Sequence, residues 1–361
     1  MRLKISIAFM LCFMAPMAVA EHEYVASVLE IPEINRGYVT LNYSYFSESL
    51  DVFGYASKLN STFKPKEAHS VYGGFGFKPM DSLLVSYQRE QSNASTVRDR
   101  EPFEVTSDVE GDSLLVHWQI KDVLDFSTQL QFGYTARNQA ELDIACYEYS
   151  GLVVGSCEGA DLSFIDPATG LTGPAVSSSA KETRWLLGVF LKKDINERFS
   201  LSHRLRFTSS DVEIETSSLF LDLDDPFLLG LKFNGETLGS TISTLKATFP
   251  QEQPWTERVL RYDLGLKYEL TEKVFVSGSF GYLTVSRSGF ERYDGVPEYE
   301  SNILLNGAVW YNPGGGLAVY ARAELTKNYL LGMDAMLYNQ RTAKFFEHPY
   351  AQLTAGLFYA F

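Results

Sequence analysis

From His348 to Phe361 the chain reads HPYAQLTAGLFYAF, and its residue character alternates with a period of two. Counting back from Phe361, the residues Tyr359, Leu357, Ala355, Leu353 and Ala351 form one apolar face. The other face holds Gln352, Thr354, Gly356 and Ala360, with only Phe358 and Tyr350 bulky. Successive side chains of a strand point to opposite sides, so this segment calls for a strand with unlike surroundings on its two faces. No stretch of the chain past its N-terminus approaches the ~18 consecutive apolar residues of a membrane-spanning helix. A chain of this kind can only cross a bilayer as strands.

The same alternation recurs about twelve times, in segments near the 9–11 residues of a tilted transmembrane strand. The expected strands are 37–46, 67–78, 82–90, 112–120, 125–137, 182–193, 197–209, 256–270, 273–287, 299–311, 316–328 and the terminal one. Their outward faces include Val39, Tyr43 and Tyr45, then Leu114, Val116 and Trp118, and the unbroken series Leu260, Tyr262, Leu264, Leu266 and Tyr268. Connections alternate between short turns and long segments, as in barrels with short turns on one side and longer loops on the other. A further hairpin from Ser218–Leu223 and Phe227–Phe233 would raise the count to fourteen. A soluble β-sandwich is the rival architecture, but it has no need of aromatic-rich outer faces or of this loop alternation.

Phe361, Tyr359 and Leu357 resemble, position for position, the closing strand of Gram-negative outer-membrane β-barrels. The resemblance implies an assembly signal read by the barrel assembly machinery. It also implies an all-β fold: a transmembrane antiparallel up-and-down β-barrel over residues 37–361, both termini periplasmic. Outer-membrane lipids and lipopolysaccharide would be its surroundings. Strand number, length and terminus together look like an autotransporter translocator barrel standing alone, without a passenger ahead of the first strand. A TonB-dependent transporter, with its large plug domain, is not expected.

The first twenty residues fit a secretory signal peptide. Arg2 and Lys4 precede the apolar run Ile5–Phe13, and Ala18-Val19-Ala20 offers a small-residue cleavage site. Residues 21–36 would then form a periplasmic or lumenal N-terminal segment. Formal net charge is −14, and removal of Arg2 and Lys4 would take it to −16. So acidic a chain is a poor partner for nucleic acid. Once Cys12 is removed, Cys146 and Cys157 are a close pair, which in an oxidising compartment suggests one disulfide. Two free thiols are the alternative. Mean hydropathy of −0.10 fits a barrel, since only alternate residues of each strand meet lipid.

Catalytic patterns are not expected. His203 is the only outward strand histidine, and Leu201 and Leu205 flank it on that face, so no serine stands where a histidine base could activate it. His117 faces inward without a partner nearby in sequence, and His69 and His348 fall near the rims. No histidine–cysteine spacing supports a structural metal, Asp222, Asp224 and Asp225 lack the regularity of a calcium loop, and no cofactor is implied. The inner faces are more telling. By parity, Arg184, Arg204, Arg206, Arg261 and Lys267 face the lumen from three neighbouring strands, and Glu90, Asp263, Glu300, Arg322 and Glu324 add charges of both signs. Such a patch favours anions in a narrow pore, and it resembles the basic tracks of twelve-stranded channels that pass acidic oligosaccharides. Alternatively, the arginines pair with Asp263 or Glu324 and partly plug a small interior. The expected function is a small passive, porin-like channel that prefers anions and serves small solutes. The alternatives are a solitary translocator-like barrel and a structural or surface-interaction barrel.

Overall fold

The computed structural model describes residues 36–46, 63–98, 104–140, 177–217, 226–230, 252–289, 298–338, 346–347 and 349–361, with short pieces between 144 and 173 and between 232 and 243. The expected signal peptide, residues 21–35, Cys146, Cys157, His348 and the acidic run at 222–225 lie outside the described residues.

Twelve strands carry the fold. They are β1 (Gly37–Phe46), β2 (Phe63–Met80), β3 (Leu83–Arg98), β4 (Glu104–Val123), β5 (Phe126–Ala140), β6 (Ser177–Asn196), β7 (Phe199–Ser217), β8 (Glu252–Thr271), β9 (Val274–Ser288), β10 (Ser301–Gly314), β11 (Leu317–Thr326) and β12 (Tyr350–Ala360). Each pairs antiparallel with its neighbour in the chain, and β1 pairs with β12 to close the sheet. Closure satisfies the ladder groups that a free edge would leave open, the condition for a sheet in lipid. At the seam Tyr38 lies opposite Ala360, and Gly37 and Phe361 exchange backbone hydrogen bonds of 3.1 and 2.9 Å.

The alternation is that of the sequence. Along β11 every second residue is buried in the lumen and the intervening ones are exposed on the outer wall. Outward Leu, Phe, Tyr and Trp, among them Leu114, Trp118, Trp185, Leu260 and Leu357, make a band for lipid. Five two-residue turns join strands at one rim. One places Leu124 and Asp125 at φ of 52° and 64°, left-handed values that match the twist of the flanking strands.

At the opposite rim the connections are mostly long, but β3 and β4 are joined by residues 99–103 alone. This differs from the expectation of strands ending at 90 and starting at 112. The ladder continues to Val97 opposite Glu104. Its outer face above Tyr87 is polar, with Arg89 3.2 Å from Glu110 and Asn93 donating to Asp108 at 2.5 Å. An apolar alternation stops where lipid stops, whereas backbone pairing needs no lipid. Of the expected extra hairpin, Ser218–Leu223 lies outside the described residues, and among the described residues the barrel sheet has no fourteenth strand. β7 and β8 pair directly from Phe199–Tyr268 to Glu215–Glu252, and the described residues between them include the short helix α1 (Pro226–Leu229) and a minimal ladder at Lys232–Phe233 and Glu236–Thr237.

The lumen holds the buried side chains in two clusters. Near the short-turn rim Phe275, Trp310 and Tyr320 stack in a row at 5.5 and 4.2 Å, and Tyr38 stacks on Phe358 at 5.0 Å. The rings of Tyr38 and Tyr320 occupy the space that a Cβ on Gly76 or Gly356 would need, so these rings lie flat against the wall only because those two residues are glycine. The second cluster sits at the other end and is built around a loop.

Candidate functional site: a basic recess beneath an inward loop

The connection from β11 to β12 turns into the barrel. Tyr329, Leu330, Leu331, Asp334, Ala335, Met336, Leu337 and Tyr338 are all buried. The wall they meet explains why. In the long-loop half the inner face carries an apolar band, with Val109, Val212, Ile214, Trp255, Val259, Leu283 and Val285 in one cluster with the loop. Water against such a wall is unfavourable, and a loop rich in Leu and Met displaces it. The sequence signal was present but unread, because Tyr329–Tyr338 spells YLLGMDAMLY, unusually apolar for a connection.

Polar contacts set the position of the loop. Thr326 donates its hydroxyl to the Tyr329 carbonyl at the entry to the loop. Asn302 on β10 donates to the carbonyls of Asn328 and Leu331 at 2.9 and 3.1 Å, and its own amide oxygen accepts from the Asn328 N–H. Arg137 on β5 holds three carboxylates at once: Glu90 at 2.8 Å, Glu182 at 3.0 Å and Asp334 of the loop at 2.9 Å. Arg184 pairs with Glu182 at 2.7 Å and donates to the Met333 carbonyl at 3.1 Å. On the far side, Arg287 pairs with Glu257 at 2.8 Å and stands 3.5 Å over the Tyr338 ring. Burial raises the Tyr338 phenol above its ordinary value, with the Tyr299 N–H that donates to it and the nearby Arg287 acting in the other direction.

Gly332 permits the tightest approach. Its φ of +72° is a left-handed value, and a Cβ there would stand 2.7 Å from Leu283.

Below the loop a recess remains in the lumen, in the half that runs toward the short turns. Six cations line it: Lys192, Arg204, Arg206, Arg261, Lys267 and Arg322. Only two carboxylates do, Asp263 and Glu324. Arg206 reaches Asp263 at 2.9 Å and Arg261 reaches it at 2.7 Å, while Arg322 pairs with Glu324. Arg204 lies 5.1 Å from the Phe190 ring and Lys267 4.5 Å from that of Phe275. Ser200, Ser202, Ser277, Ser279 and Asn306 add small polar groups between the charges.

The five basic residues expected to form one patch therefore divide. Arg204, Arg206, Arg261 and Lys267 line the recess, whereas Arg184 is at the loop. Pairing with Asp263 occurs, as one of the two sequence readings held. Parity would also have found Arg137, which it places inward on β5, but its partner Asp334 is not on a strand. His203 is not the only outward strand histidine, because β2 extends past the expected rim and carries His69 on its outer face opposite Tyr45. His203, on the outer wall, is 2.7 Å from the Tyr262 hydroxyl, His117 is buried 3.3 Å from the Gln131 amide, and His69 stacks with Tyr43 at 5.9 Å. Among the described residues no group of three His, Cys, Asp or Glu could hold a metal ion.

A closed twelve-stranded antiparallel barrel with an apolar aromatic belt is the fold of Gram-negative outer-membrane proteins. Among solved structures the chain is similar to the translocator domain of the autotransporter NalP from Neisseria meningitidis, with 9% identity, 94% of each chain covered and a TM-score of 0.50. It is also similar to the beta domain of the Bordetella autotransporter BrkA (10% identity, 91% of this chain and 100% of that one, TM-score 0.47) and to the NanC porin (8%, 89% and 98%, 0.42). No protein-family model and no curated protein matches the sequence.

Proposed function

We propose that the protein is a narrow, anion-preferring passive channel of the outer membrane, exported by its N-terminal signal and inserted by way of its closing strand, Leu357, Tyr359 and Phe361 included. It is not an enzyme. The observation that carries this reading is the charge of the recess, where six cations face two carboxylates inside a low-dielectric wall. Such a surface concentrates anions and opposes cations. The inward loop narrows the long-loop end and so limits the size of the solute. Lipopolysaccharide and lipid would surround the outer wall.

Single-channel conductance of the refolded mature protein in a planar bilayer tests it, with reversal potentials measured across a salt gradient. Steady current with anion preference is expected, weakened by Arg204→Ala and Arg206→Ala. Deletion of Leu330–Leu337 should enlarge the current. Silence of both the intact and the loop-deleted protein would overturn the channel reading and leave a structural or surface role. The translocator-like alternative has support in the fold likeness alone. Current that appears only after residues 21–36 are deleted would favour it.

A further inference from the structure

Arg261 belongs to two structures at once. Its Nε donates to both oxygens of Asp263, at 2.8 and 3.0 Å, within the recess. Its Nη1 is 3.0 Å from the Met333 sulfur of the inward loop. A thioether is a weak acceptor, whereas a carboxylate, sulfate or phosphate oxygen is a strong one for a guanidinium. An oxyanion that reached Arg261 would therefore offer it a better partner than the loop does.

The recess leads there. Arg204 and Arg206 are two residues apart on one lumenal face, about 7 Å, and Lys267 lies about 20 Å along β8 from Arg261 at the rise of a strand. The lining cations outnumber the lining carboxylates by four, and Lys192 and Lys267 also reach Asp194 and Glu269 at 3.4 and 3.0 Å, which leaves an excess of two. One monovalent ion can answer only part of that excess, while an ion with several charges spans neighbouring cations and gains from each. Ser277 and Ser279 on β9, beside β8, and Asn306 on β10 supply donors for its remaining oxygens.

We infer that the recess binds small oxyanions carrying two or more negative charges, and that an anion at its inner end takes Arg261 from Met333 and loosens the inward loop. This rests on the channel reading above and names the solutes that such a channel selects. The coupling is reciprocal, so a loop with a weaker claim on Arg261 must bind the anion more tightly.

The test is titration calorimetry of the refolded full chain in detergent, with chloride, sulfate and citrate as probes at constant ionic strength. Saturable binding is expected in the order citrate, sulfate, chloride. Arg204→Gln and Arg206→Gln should each weaken citrate about tenfold, the loss of one charged contact, and Arg204→Lys should retain most of the affinity. Met333→Leu keeps the apolar packing but removes the sulfur, and it should tighten citrate several-fold. Equal affinity for the three anions, or none for any, overturns the binding site, and unchanged citrate affinity in Met333→Leu overturns the link to the loop. Conductance in the same solutions separates the two readings. Citrate binding without current sinks the channel and leaves the site, whereas anion current without saturable citrate binding sinks the site and leaves the channel.

Discussion

Arg137 on β5 and Asp334 in the inward loop meet at 2.9 Å, although 197 residues separate them in the chain. Glu90 and Glu182 share the same guanidinium, so the two partners are not equivalent. Asp334→Asn leaves Arg137 with two carboxylates and should cost about 1–2 kcal/mol. Arg137→Ala strands the buried carboxylates of Glu90 and Asp334, leaves Glu182 to Arg184 alone, and should cost about 3–5 kcal/mol. Heat- and urea-induced unfolding of the refolded variants would rank them, and a larger loss in Asp334→Asn would contradict the arrangement.

The loop is held as much by its apolar residues as by its charges. Leu331 is fully buried against Leu283 and Val285 in one cluster. Leu331→Ala should weaken docking by about 2–5 kcal/mol, the usual cost of a buried leucine truncation. In a bilayer this should appear as frequent steps to a higher conductance level, with the barrel still closed and resistant to heat.

Gly332 stands at a left-handed φ with Leu283 in the path of any Cβ. Gly332→Ala should then lose more than the ~1 kcal/mol typical of a poor glycine replacement. The same conductance steps are the readout. A quiet trace indistinguishable from the parent would show that the loop accommodates the methyl group.

Alkali should release one side of the loop. The raised Tyr338 phenol means that the docked loop favours the neutral form. Its contribution is complete below the ordinary tyrosine value of about 10 and is lost as pH rises through the raised one. Channel openings should become more frequent above about pH 10, and Tyr338→Phe should abolish that dependence.

At the other end of the barrel, Gly37 and Phe361 complete the seam with two backbone hydrogen bonds. Deleting Phe361 removes both and shortens the outward column of Tyr359 and Leu357. Most of the heat-modifiable, folded protein should be lost in a membrane assembly assay, while Phe361→Tyr should keep it.

Period two determined the outer half of this protein. Lipid sets a single requirement for every outward position, so strand number, facing and the aromatic belt follow from local alternation. The inward facing of Arg204, Arg206 and Arg261 came with it, because one face fixes the other. Strand ends beyond lipid were less legible, as at β3 and β4, where outward residues turn polar while the ladder runs on. What fills the lumen was decided by tertiary structure alone. Asp334 and Arg137 carry no common pattern in the chain, and YLLGMDAMLY has neither strand nor helix period. Its place is set by an apolar cavity that does not exist until twelve strands have closed around it.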